Sequence, residues 1–128
     1  MMLFLAAMAG VDFDALDKAV ETCDRKSATP FFSDEAERRN VYLTSAFREQ
    51  ESIIAERLDL AARKRALREA GTTAVKGGDS EKDLALKVAA NEDRQRALND
   101  SRMLEGMRGD AMDAKRRYYL AHCATGKE

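Results

Sequence analysis

GTTAVKGGD, residues 71–79, decides how this chain folds. Its three glycines and its Thr72-Thr73 pair break any helical pattern, so it reads as a loop. On one side, Asp34 to Ala70 runs without glycine or proline; on the other, Ser80 to Cys123 is interrupted only by Gly106 and Gly109. A loop this short between two long helices predicts an antiparallel hairpin. Gly71 is placed to cap the first arm and Ser80 to cap the second, with Glu81 and Asp83 in its opening turn.

The first arm carries an apolar stripe through Leu43, Ala46, Phe47, Ile53, Ile54, Leu58, Ala61 and Leu67, with Gln50 as its polar member. Asp34 with Glu37 forms a capping-box pattern at its start, and Ser33 is the alternative cap. At 1.5 Å per residue this arm would run about 55 Å, too long for a compact globule of this size. The second arm's stripe is Leu86, Ala89, Ala90, Ala97, Leu104, Met107, Ala111, Ala114 and Tyr118. Asp93 and Asp100 interrupt it and predict a leaky seam. Gly106 and Gly109 each cost about 1 kcal/mol against alanine inside a helix, which predicts a kink or a restart at Asp110.

Upstream, Phe13, Leu16, Val20 and Cys23 recur at helical spacing and give a short helix with Cys23 on its buried face. RKSATPFFS, residues 25–33, then breaks the pattern, because Pro30 disfavours helix at Thr29. The adjacent Phe31 and Phe32 are expected to plug one end of the core. The fold predicted is all-α. A long antiparallel helical hairpin, about 34–70 and 80–123 with a kink at 106–110, carries a short N-terminal helix, about 11–24, packed at its open end.

Composition agrees. The chain has 128 residues, of which 35% are charged, and a net charge of -1, so a strongly basic nucleic-acid footprint is absent. One proline, no tryptophan and few β-branched residues argue against a sheet. The apolar opening, MMLFLAAMA, is shorter than the roughly 20 residues a bilayer requires. Ala7-Met8-Ala9 matches the small-x-small cleavage pattern, so residues 1–9 read as a truncated signal peptide and 10–128 as one helical domain. That reading predicts a periplasmic or secreted protein.

The hairpin assigns a role to the two cysteines, Cys23 and Cys123. With the tip near residue 75, Asp34 lies level with residue 116, and Cys123 falls just beyond the base. An N-terminal helix packed antiparallel brings Cys23 to the same end. A disulfide between them would close nearly the whole chain. His122, the only histidine, is adjacent to Cys123 and should point about 100° away from it. Neither a metal site nor a catalytic Cys-His pair is expected, and no cofactor is implied. No nucleophile elbow, phosphate loop or paired catalytic carboxylates can be picked out.

Two surface features remain. Arg63, Lys64, Arg65 and Arg68 form a basic cluster near a helix C-terminus, where cations oppose the dipole. Met103, Met107 and Met112 form a methionine group suited to an apolar partner. Leu43-Thr44 partly resembles the Leu-Thr-x-x-Gln motif of periplasmic hairpin chaperones of the Spy/CpxP type, with Phe47 where glutamine would stand. Tyr118-Tyr119 ahead of Cys123 is similar to the end of small secreted lysozyme-inhibitor-like proteins, without their tryptophan. Neither similarity extends beyond a short segment, and no functional residue is carried over from either. The expectation is an exported, non-catalytic helical-hairpin binding protein, chaperone-like, partnered by a second copy or another envelope protein. The alternative is a cytoplasmic coiled-coil adaptor touching nucleic acid weakly through residues 63–68.

Overall fold

The computed structural model describes residues 11–71 and 80–124. The expected signal peptide and most of the 71–79 loop lie outside them. The described chain is all-α: α1 Phe13–Glu21, α2 Arg25–Ser33, α3 Glu35–Ala70 and α4 Glu81–Cys123. None of these helices is long and apolar enough to cross a membrane. The chain divides into two compact units, one joining residues up to Ser45 with those from Ser101 onward, the other spanning Ala46–Asp100.

In the first unit, Leu16 and Val20 of α1 bury against Met112 of α4. Phe31 and Phe32 of α2 and Tyr119 of α4 close this cluster, and the Phe32 and Tyr119 ring centroids are 5.6 Å apart. The two phenylalanines therefore plug the core as expected. In the second unit, Leu60 and Leu67 of α3 pack on Leu84 of α4, with Val88 alongside. Each such buried aliphatic side chain contributes about 1.5–3 kcal/mol. In both units α3 and α4 run antiparallel. Glu35 meets Arg108 and Tyr42 meets Ser101 in the first, and Gln50 meets Gln95 in the second.

Residues 25–33 are helical, contrary to the expected break. Asp24 supplies what the sequence reading missed: its carboxylate accepts from Ser27 N–H (3.2 Å) and from the Ser27 hydroxyl (2.7 Å), capping α2. Burial of Ala28 and the packing of Phe31 and Phe32 offset the hydrogen bond that Pro30 cannot make. Asp34, expected as an N-cap, instead has helical dihedrals and joins α2 to α3. The arms also pair about seven residues earlier on α4 than a tip at residue 75 implies, since Glu35 meets Arg108 rather than a residue near 115. The termini of the loop behave as read: Gly71 turns at φ +67°, and Ser80 Oγ accepts from Asp83 N–H at 3.1 Å.

The expected stripes are only partly the buried ones. On α3, Ala46, Ile53 and Leu67 are buried, but Leu43, Phe47, Ile54 and Leu58 face solvent. On α4 nearly the whole expected stripe is exposed, from Leu86 to Tyr118, with Ala111 alone half-buried. The buried seam of α4 recurs every seventh residue instead, as Leu84, Asn91, Leu98, Glu105 and Met112, with half-buried Tyr119 next. Two of these are polar, and so is Ser101, which is buried beside them. An apolar count therefore selects the wrong face.

α4 continues unbroken through Gly106 and Gly109, so no restart occurs at Asp110. Nothing lies within 4 Å of a methyl group added at Gly106, whereas one at Gly109 would meet Arg39 Nη1 at 3.2 Å. Gly106→Ala is expected to raise the unfolding free energy by about 1 kcal/mol from helix propensity alone. Gly109→Ala gains less, because the Arg39 side chain must shift. Urea unfolding of the two variants measures the difference.

Candidate functional site

The residues singled out in the sequence fall in three places. The first is the base of the first unit, where Cys23 and Cys123 form a disulfide with their Cα atoms 5.5 Å apart. α1 begins where Asp12 Oδ1 accepts from Ala15 N–H and ends at Glu21, so Cys23 lies past the helix rather than on its buried face. The chain stops there in a Schellman motif: Asp24 N–H donates to the Ala19 carbonyl (2.8 Å) and Cys23 N–H to the Val20 carbonyl (3.2 Å). The left-handed residue such a motif requires is normally glycine, yet here it is Cys23, at φ +52°. A non-glycine residue in that region costs about 1–2 kcal/mol. The position therefore keeps a side chain at the expense of backbone comfort.

His122 faces this disulfide, contrary to the expectation that it points elsewhere. Its ring stacks on Tyr118 at 5.1 Å, and its Nε2 lies 3.3 Å from the Glu21 carbonyl. A carbonyl only accepts, so Nε2 carries the proton. The Tyr118 hydroxyl donates to Glu21 Oε1 at 3.1 Å, and that bond to a carboxylate holds the phenol's pKa above its usual value. Asp24, next to Cys23, is held below the usual carboxylate range, first by the Ser27 hydroxyl and then by Ser27 N–H. Lys115 pairs with Asp17 and sits over the Phe13 ring, tying α4 to α1.

The second place is the methionine group, which the structure does not hold together. Met112 is core, 2% exposed, while Met103 and Met107 are exposed on α4. The third is the basic cluster on α3. Arg63 pairs with Asp59 at 3.1 Å; Lys64, Arg65 and Arg68 are exposed. Lys64 and Arg68 rim a shallow open groove of about 220 Å³ with Leu67, Glu81 and Leu84. An acidic residue thus shares the groove, and this is not a uniformly basic surface.

Sequence reasoning missed the polar interior altogether. In the first unit the Tyr42 hydroxyl and Ser101 Oγ are buried 2.7 Å apart, and burial pushes the Tyr42 pKa up. Arg108 binds Glu105 with two of its nitrogens and Glu35 Oε2 with a third, at 2.7 Å. The Glu105 contact foremost raises the guanidinium pKa, against the effect of burial. In the second unit Asn91 Nδ2 donates to the Ile53 carbonyl and to Glu56, both at 3.0 Å, and Arg94 joins Glu49 and Glu56. Gln50 and Gln95 exchange two hydrogen bonds. These groups satisfy one another, as buried polar groups must, and form no open catalytic constellation.

Fold and site together define an all-α hairpin protein closed at its base by a disulfide. No protein-family model, characterised protein or solved structure matches this chain.

Proposed function

We propose that this is a non-catalytic binding protein of an oxidising compartment, periplasmic or secreted, which works by covering apolar helix surface on a partner. The observation that carries this reading is the solvent-facing apolar set on helices whose buried seam is partly polar. In the second unit Phe47 (65%) and Leu58 (66%) are well exposed, and in the first Met103, Leu104 and Met107 are too. Large apolar side chains left in water in each unit support a role in covering a partner. The first partner proposed is a second copy of the chain; an envelope protein or an unfolded chain would use the same surface. The disulfide is compatible with an oxidising compartment.

Sedimentation tests the self-association. A dimer is expected at tens of micromolar, and a strict monomer that also fails to slow aggregation of an unfolded protein overturns the binding reading. Phe47→Glu with Leu58→Glu is expected to abolish association while changing monomer stability by no more than about 0.5 kcal/mol per site. Thiol labelling in the native cell tests the compartment, since free cysteines without added reductant would contradict it.

A further inference from the structure

Cys23, His122 and Cys123 each offer one ligand atom, and the three atoms lie within 4.8 Å of one another. Two other observations mark this cluster. Cys23 keeps its side chain at a left-handed position where glycine would be easier. His122 is held in place by Tyr118 stacking, and donation from Nε2 to the Glu21 carbonyl leaves Nδ1 with the free lone pair. A ring N–H given to a backbone carbonyl is the usual way an imidazole is oriented for a metal. His122 and Cys123 are adjacent in sequence and offer two ligands; the fold brings the third from a hundred residues away.

We propose that the reduced form of this base is a Cys2His site for zinc, with its fourth position open to water or an outside ligand. A dithiol reductant gives two electrons and two protons to the Cys23–Cys123 bond, yielding two thiols and the reductant's own disulfide. Zinc then binds the two thiolates and the imidazole, and the two thiol protons leave to solvent. Zinc–sulfur bonds of about 2.3 Å and a zinc–nitrogen bond of about 2.0 Å put tetrahedral ligand atoms about 3.5 Å apart. The cysteine Cα atoms, 5.5 Å apart, allow that spacing by side-chain rotation. Soft thiolates with one imidazole favour zinc over magnesium or calcium. The base would then be clipped by a covalent bond when oxidised and by a metal when reduced. This inference does not rest on the proposed binding function and fails separately from it.

The test uses the full chain, reduced and desalted without oxygen, titrated with cobalt(II) and then zinc. One cobalt per chain is expected, with thiolate-to-cobalt charge transfer and tetrahedral ligand-field bands that zinc abolishes. Proton release into weak buffer should reach two per metal at a pH where both thiols begin protonated. His122→Ala should weaken binding by more than about tenfold, and the oxidised chain should give no such bands. Three results would overturn the proposal: no thiolate–cobalt band, an unchanged affinity in His122→Ala, or the same affinity in strong urea as in buffer. The last would mean that the fold does not build the site, and circular dichroism of each sample reports whether the chain is folded.

Discussion

Cys23→Ser with Cys123→Ser is expected to lower the unfolding free energy by several kcal/mol. In the chain-entropy account, closing a loop of about 100 residues removes roughly 4.7 kcal/mol of freedom from the unfolded chain. The observed separation is 100 residues. The serine variant keeps the left-handed strain at position 23, because the Schellman turn holds that backbone without the cross-link. Cys23→Gly with Cys123→Ser should therefore be more stable than the double serine variant, by about 1 kcal/mol. The comparison isolates the backbone cost from the cross-link. Urea unfolding of the oxidised chain and both variants supplies the numbers. A double serine variant within 1 kcal/mol of the oxidised chain, by order of magnitude against that same loop estimate, would mean that the unfolded chain is already compact at its ends. Equal stability of the serine and glycine variants would show that the cross-link, not the Schellman turn, sets the conformation at Cys23.

The disulfide was legible because it needed only topology. Two cysteines and two long helices around a short loop suffice to bring both ends to one base, even though the pairing of the arms was misread. Placing Asp34 level with residue 116 leaves little room at the base. The actual pairing of Glu35 with Arg108 leaves more, and α2, unexpectedly helical, with α1 fills it. Pro30 misled for a physical reason. Its steric rule acts on Thr29 alone, while Asp24 capping and burial of Ala28 act on the whole segment.

The seam was less legible. Heptad spacing on α4 exists, but Asn91 and Glu105 occupy it in alternation with Leu84, Leu98 and Met112. Hydrophobicity alone then prefers the other face, with Leu86, Leu104 and Met107, which is the one left to solvent. A polar seam can be recognised only from pairs that satisfy each other, and those pairs require the register of the two arms. Gln50 shows the point: read as a flaw in an apolar stripe, it is half of a reciprocal amide pair with Gln95. His122 was misjudged in the same way. Its angle to Cys123 along the helix was known, but Cys23 and Glu21 reach it from a different element.

Arg108 is where the polar interior carries its largest expected effect. Its side chain is only 11% exposed, that of Glu105 6%, and that of Glu35 20%. Two carboxylates converge on one guanidinium in a place with little water. Arg108→Met is expected to cost about 3 kcal/mol, because it strands Glu105 as a buried anion without a counter-charge. Glu35 suffers less, since Arg38 lies 3.6 Å from the same carboxylate oxygen. Removing the stranded charge as well should reverse most of the loss. Glu105→Leu with Arg108→Met restores an apolar residue to the seam between Leu98 and Met112, and buried ion pairs replaced in this way are often neutral or stabilising. The ordering expected in urea unfolding therefore places Arg108→Met lowest, with the double variant near or above the parent. If the double variant is instead the least stable of the three, the ion pair contributes net stability and is not merely a charge kept neutral. If Arg108→Met costs under about 1 kcal/mol, water reaches Glu105 readily and the seam is wetter than its packing implies.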